Sequence, residues 1–234
     1  MKAKNPAANA VPQTPAAARP TSLPEAVPGN AFPVVGVGAS AGGLAAFEAF
    51  FCGLPADAEP GMAFVLVQHL APDHKSILPE LIRRYTRMQV LEVTNGIEVR
   101  PNCVFVIPPN RHMALLNGRL ELLPPEEPRG QRLPIDAFFR SLAQSQHEHA
   151  IGVVLAGTGS DGTLGVRAIK AEGGMVIAQQ PGTTEFDGMP CSAIATGMVD
   201  WQLPPAEMAA QIIAYAAHAF GRLPPLLAEP APKT

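Results

Sequence analysis

The sequence predicts an α/β domain: a doubly wound, mainly parallel sheet with helices on both faces and one β-hairpin. Three observations carry this expectation. Short apolar runs alternate with segments whose large apolar residues recur at helical spacing, the pattern of successive strand–helix units. Hydrophobic residues make up 47% of the chain and charged residues only 16%, against roughly 25% charged in an average globular protein; such a shortage of charge suits strands covered on both faces. A turn pair, Asn117-Gly118, separates two short apolar runs and accepts the positive φ angles of a type I′ hairpin turn.

The elements follow in order. Residues 1–31 are rich in Ala and Pro and nearly free of large apolar side chains, so they cannot bury enough surface to offset their ordering entropy. They are expected to be a disordered leader, with the folded domain over 32–223 and a disordered tail over 224–234. Residues 34–37 form a first strand, and Leu44, Phe47, Phe50, Phe51 and Leu54 line a first helix. A second buried strand covers 63–67, and Ile77, Leu78, Leu81, Ile82 and Tyr85 line a second helix. Strands are expected at 90–93 and 104–107, then the hairpin of 113–116 and 120–123, then a loop to Arg132. A helix opens near Ile135 with Pro134 and Asp136 at its start. Residues 151–155 are a strand, 164–171 a helix closed by Gly173-Gly174, and 175–178 a strand. A short helix over 192–196, a strand over 199–203 and a last helix over 206–220 complete the domain.

Composition excludes several functions. A net charge of −3 gives no electrostatic footprint for nucleic acid. No apolar run approaches the roughly 20 residues of a membrane span, and the basic N-terminus lacks the apolar stretch of a secretion signal. Cys52, Cys103 and Cys191 are odd in number and widely spaced, with no paired framework. A reducing cytoplasm is the expected compartment. No His/Cys cluster has metal-ligand spacing, so no metal is expected.

The stretch PVVGVGASAGGLAAF, residues 33–47, satisfies two motifs with different chemistry. As Gly36-x-Gly38-x-x-Ala41 it is a dinucleotide-binding turn. As Gly38-x-Ser40-x-Gly42 it is a nucleophile elbow. The dinucleotide motif requires an acidic residue at the end of the second strand. Here that strand ends in Gln68-His69-Leu70, so the phosphate reading fails.

In doubly wound sheets, reactive groups collect at the carboxyl ends of the strands. Ser40 follows the first strand, His69 follows AFVLVQ, and Asp161 lies in the turn GTGSDG after IGVVLA. Serine, histidine and aspartate are the parts that deprotonate a hydroxyl, shuttle its proton and orient the imidazole. Each residue also has a plain structural role open to it. Ser40 could cap the following helix, His69 could end a strand, and Asp161 could fill a turn or cap the helix after it. His74 and His112 are weaker candidates, and His147 and His149 suit a helix C-terminus.

The stretches VVGVGASAGGLAAFEAFF, FVLVQHLAPDHKSILPELIRR, VFVIPPNRHMAL, LPIDAFFRSLA, VVLAGTGSDGTLGVRAIKAEGG and FDGMPCSAIATGMVD resemble, in this order, the catalytic domain of CheB-type protein-glutamate methylesterases. The wording of LAPDHKS, GTGSDGTLG and FDGMPCSAIATG is nearest the esterase module of CheB/CheR fusion proteins. The resemblance implies a serine hydrolase without cofactor, acting on γ-glutamyl methyl esters of chemoreceptor-like signalling proteins, with deamidation of glutamine as a related activity. Its triad falls on Ser40, His69 and Asp161, and its oxyanion donors on the backbone amides of Ala41 and Thr158. Implied partners are the methylated receptor, a CheR-type methyltransferase or a sensor kinase, with no membrane insertion. The resemblance also gives the glycines work: Gly42 and Gly43 leave room for a substrate side chain, and Gly157, Gly159 and Gly162 allow unusual φ angles. Where many relatives have Met in the turn and Thr after the serine, this chain has Thr158 and Ala41. The Ala/Pro-rich leader stands where chemotaxis members carry a receiver domain. A scaffold module without turnover, or an esterase for another ester, remain the alternative functions.

Overall fold

A computed structural model describes Met1 and residues 32–68, 77–124 and 132–221. The expected leader and tail, the loop tip after the hairpin, His69 and His74 lie outside the described residues.

The main sheet is built from strands β1 (Val34–Ala39), β2 (Ala63–Gln68), β3 (Gln89–Glu92), β5 (Cys103–Val106), β8 (Ala150–Val154), β9 (Met175–Gln179) and β10 (Trp201–Leu203). Their order is β10-β9-β8-β1-β2-β5-β3, and every pairing is parallel. β1, β2, β5, β8 and β9 are buried along their whole length. These central strands can be almost wholly apolar because helices cover both faces.

Against one face pack α1 (Gly43–Cys52), α2 (Leu78–Ile82) and α6 (Pro205–Phe220), joined through Phe47, Phe50, Phe51, Ile82, Met208 and Ile212. Against the other pack α3 (Pro134–Gln146), α4 (Thr163–Ala171) and α5 (Gly188–Ile194). A small antiparallel sheet lies on this second side, formed by β4 (Ile97–Glu98), β6 (His112–Leu116) and β7 (Arg119–Leu123) in the order β4-β7-β6. Asn117 and Gly118 take φ angles of 50° and 75° in its hairpin turn, as the sequence predicts.

α3 lies directly on β1. Its Ile135, Phe138, Phe139 and Leu142 recur at helical spacing and are fully buried. A Cβ on Gly36 would stand 2.9 Å from the Phe139 ring, and one on Gly38 would stand 2.5 Å from the Ile135 side chain. The two glycines that suggested a phosphate loop therefore serve helix–strand packing.

Some elements differ from expectation: α2 spans only Leu78–Ile82, so Tyr85 lies beyond it. α5 starts at Gly188 rather than 192, because Pro190 sits in its first turn, where a missing N–H costs no helical bond. The last strand is shorter, beginning at Trp201. β4 was not expected, since two residues carry no readable period.

The chain runs from β1 outward to β2 and returns to β8 on the other side of β1. The winding reverses between β1 and β8. Crevices at such a reversal, beyond the carboxyl ends of the strands, are where doubly wound folds bind ligands.

Candidate active site

Ser40 follows the last residue of β1 and is half-buried. Its own N–H donates to Ala156 O at 2.8 Å, and its C=O accepts from Gly43 N at 2.9 Å. The N-cap of α1 is Gly42, with φ 75° and no side-chain cap. Ser40 therefore does not cap the helix; its side chain stands on a tight strand-to-helix turn.

The adjoining wall comes from the loop after β8. Leu155 N donates to Gly38 O at 2.9 Å, so this chain stays against β1 until Ala156. Gly157 N then donates to Phe186 O at 2.8 Å, and Met189 N donates to Gly157 O at 2.9 Å. A Cβ on Gly157 would meet Met189 Sδ at 2.1 Å and the Ser40 Cβ at 3.0 Å. Gly157 is thus required by close approach and not by its φ, which corrects the expectation. Gly159 and Gly162 do take positive φ, 80° and 91°. Gly43 is corrected likewise: a Cβ there would meet Ala39 Cβ at 2.9 Å and Gln68 Nε2 at 3.2 Å, so it makes room for strand ends and not for a substrate. Above Gly42 lies the Phe186 ring, whose Cδ2 stands 2.8 Å from where a Cβ would be.

Asp161 lies in the same loop with 2% of its surface exposed. Its Oδ2 accepts from Ile135 N at 3.0 Å, and its Oδ1 accepts from Asp136 N and Gly162 N, both at 2.9 Å. It therefore caps the N-terminus of α3 and not, as the plain alternative had it, the helix that follows it. Gly162 holds the N-cap position of α4. Asp136 Oδ1 in turn accepts from Gly165 N at 2.7 Å. Burial holds the Asp136 carboxyl above its ordinary range; the Gly165 N–H draws it back and the nearby Asp161 adds to the rise.

The structure thus brings two of the three candidate residues to neighbouring strand ends. His69, the third, directly follows Gln68, which pairs with Ala39 one residue before Ser40. Two amides on the turn are already committed: Ser40 N to Ala156 O and Gly157 N to Phe186 O. Those of Ala41 and Thr158 donate to no acceptor among the described residues, nor do their neighbours Gly42 and Gly159. Backbone amides without an internal acceptor are the kind of donor that can hold a developing oxyanion. Of the weaker candidates, His112 lies on β6 in the small sheet, and His147 is the C-cap residue of α3, at the helix end expected of it, and pairs with Glu172 at 2.8 Å. Among the described residues, no group of three or more His, Cys, Asp or Glu could hold a metal ion, and no helix is long and apolar enough to cross a membrane.

Sequence reasoning missed Asp136, Gln68, Phe186 and Gln179 as parts of this neighbourhood. Gln179 is 2% exposed and accepts from Ala156 N at 2.9 Å. Its position as the last residue of a strand, polar after four apolar residues, was the one signal available.

The chain is similar to the crystal structure of the Thermotoga maritima CheB methylesterase catalytic domain, with TM-score 0.71 and 29% identity over 78% of this chain and 98% of that one. It is 37% identical over 203 residues to protein-glutamate methylesterase/protein-glutamine glutaminase 1 of Myxococcus xanthus, covering 85% of this chain and 58% of that protein. It is also 50% identical over 123 residues to an uncharacterized 104.1 kDa protein of Rhodobacter capsulatus, covering 53% of this chain and 13% of the larger one. The chain spans little more than half the length of the curated methylesterases it matches. The family model for the CheB methylesterase matches residues 35–212, nearly the whole of the described sheet and its helices, and the chain belongs to that family.

Proposed function

We propose that this chain hydrolyses γ-glutamyl methyl esters on a chemoreceptor-like signalling protein, with Ser40 as nucleophile, His69 as general base and Asp161 as the group that orients the imidazole. The observation that carries the proposal is the 2.8 Å bond from Ser40 N to Ala156 O. It fixes the serine turn against the loop that bears Thr158 and Asp161, at the point where the sheet reverses.

The Ser40 Oγ attacks the ester carbonyl carbon while its proton passes to a nitrogen of His69. Negative charge develops on the former carbonyl oxygen and is met by the amides of Ala41 and Thr158. Each such donor contributes on the order of 3 kcal/mol in the transition state. The carbon–oxygen bond to the methoxy group then breaks, and the imidazolium returns its proton so that methanol leaves. Water, deprotonated by the same imidazole, attacks the acyl-serine and releases the glutamate carboxylate with Ser40 regenerated. A glutamine carboxamide would pass through the same steps with ammonia as the leaving group. Asp161, carrying backbone N–H donors on both oxygens, is held in one orientation and can fix the imidazole tautomer.

The test is methanol release from the methylated receptor of the same genome by the full chain, compared with Ser40→Ala. Fluorophosphonate should label Ser40 stoichiometrically, unprotected by millimolar NAD. An unlabelled Ser40, or equal methanol release by the alanine variant, overturns the proposal.

A further inference from the structure

We propose that Gln179 is a positioning residue for this hydrolysis: its side-chain amide sets the peptide turn that carries the oxyanion donor over Ser40. The inference rests on the esterase reading above and adds a residue to it.

β8 and β9 run in parallel register from Ile151↔Met175 to Val154↔Ala178. One pair further on, the ladder stops. Beyond Val154 the chain leaves β9 but keeps to β1: Leu155 N reaches Gly38 O and Ala156 O receives Ser40 N. This departure strips Ala156 N of the strand partner it would have had, in a place where Ala156 is 1% exposed. A buried N–H left without a partner costs about 1–3 kcal/mol. Gln179, the last residue of β9, supplies the acceptor from its side chain: Oε1 lies 2.9 Å from Ala156 N. The other end of the amide is also held, since Nε2 donates to Thr183 Oγ1 at 3.1 Å and that hydroxyl donates to Gln180 O at 2.7 Å.

The result is one line of bonds from nucleophile to sheet. Ser40 N–H donates to the Ala156 carbonyl, Ala156 N–H to Gln179, and Gln179 to Thr183. Ala156 is therefore held at both its N–H and its C=O, and Thr158 lies two residues beyond it. Gln179 touches neither nucleophile nor substrate. It decides where the following amides point. Oxyanion donors act through a fixed position, and a displacement near 1 Å can cost about 100-fold in rate.

Removing the acceptor should lower kcat and leave ground-state binding alone. The experiment compares wild type, Gln179→Leu and Gln179→Glu in the full chain. It reads kcat per fluorophosphonate-titrated Ser40, KM, melting temperature and hydrogen exchange at the Ala156 amide. Gln179→Leu should lose at least tenfold in kcat with KM within about twofold, and the Ala156 amide should exchange faster. Gln179→Glu keeps an acceptor at the same atom and should recover kcat to within about fivefold of wild type. Should the leucine variant fail to fold, Thr183→Val, which loosens only the far end of the amide, should lower kcat by a smaller factor in the same direction. A folded leucine variant with wild-type kcat per titrated site, whatever its melting temperature, overturns the inference while the esterase reading stands. So does a glutamate variant no better than leucine. A wild type that neither labels nor hydrolyses overturns the esterase reading and this inference with it.

Discussion

Asp136 and Asp161 each cap the helix that the other introduces. Asp161 precedes α4, yet its carboxylate receives the N–H groups of Ile135 and Asp136 in the first turn of α3. Asp136 sits in that first turn, yet its Oδ1 receives Gly165 N in the first turn of α4. Both helix N-termini are orphan-donor ends with partial positive charge, and each is satisfied by a carboxylate from the other. The exchange locks α3 to α4 and fixes the aspartate that the proposed mechanism needs.

The two carboxylates should respond differently to amide substitution. Asp136 has a folded-state pKa raised above its ordinary value, mainly by burial. Its ionisation therefore costs the folded state stability at neutral pH, and the cost is relieved as pH falls toward the range just above its ordinary value. Asp136→Asn keeps an Oδ1 for Gly165 N and removes the buried charge. The variant should be at least as stable as wild type near pH 7, with the difference shrinking as pH falls toward about 4. Urea midpoints at the two pH values check the sign, and a variant clearly less stable at pH 7 would contradict it. Asp136→Leu, which leaves Gly165 N unpaired, should lose about 1–3 kcal/mol.

Asp161→Asn is expected to damage both fold and rate. The carboxylate accepts three N–H groups through its two oxygens, and an amide replaces one of those oxygens with a donor. One N–H of α3 or the turn loses its partner, at about 1–3 kcal/mol, or several degrees of melting temperature in a domain of this size. Activity should fall by about four orders of magnitude if Asp161 orients the base. A variant with near wild-type rate per titrated Ser40 would assign Asp161 to helix capping alone.

Gly157→Ala separates packing from catalysis. The new methyl would overlap Met189 Sδ and press on the Ser40 Cβ. The single variant should lose stability and activity together. Adding Met189→Ala removes the sulfur and should return much of the stability, while the contact with Ser40 persists and keeps kcat low. Recovery of both in the double variant would show that Ser40 tolerates the methyl group.

How much of this was legible in the sequence follows from what sequence patterns record. The central strands were found because AFVLV and IGVVLA are buried on both faces and so almost wholly apolar. Ser40 and Asp161 stand out as candidates because strand ends in a doubly wound sheet are few and are where reactive residues collect. The sequence pattern places Gln179 just past a strand and Asp136 at the start of a helix, and gives neither a partner. Their partners, Ala156 N and Gly165 N, lie 23 and 29 residues away and show no period. The glycines Gly36 and Gly38 show the same limit from the other side. They matched a phosphate motif, while the rings and methyls that require them belong to a helix about a hundred residues later.

Thr158 distinguishes a backbone from a side-chain role. Its residue is exposed, and its N–H donates to no acceptor among the described residues. By the family resemblance the position holds Met in many relatives, and Met shares with Thr no hydrogen-bonding group of this strength except the peptide N–H. An oxyanion donor common to both is therefore the amide. Thr158→Met should keep activity within about tenfold, which is about 1.4 kcal/mol in the barrier. Thr158→Pro removes the N–H but could also bend the turn and displace Asp161, so its rate counts only if its melting temperature is unchanged. The cleaner change replaces the Ala41-independent donor alone: an amide-to-ester substitution at the Thr158 nitrogen, which keeps the side chain and deletes the proton. That protein should lose about 100-fold or more in kcat with KM little altered, and it should still fold, because no described bond depends on this N–H. Full kcat in the ester variant, or a dead Thr158→Met, would move the role to the Thr158 hydroxyl.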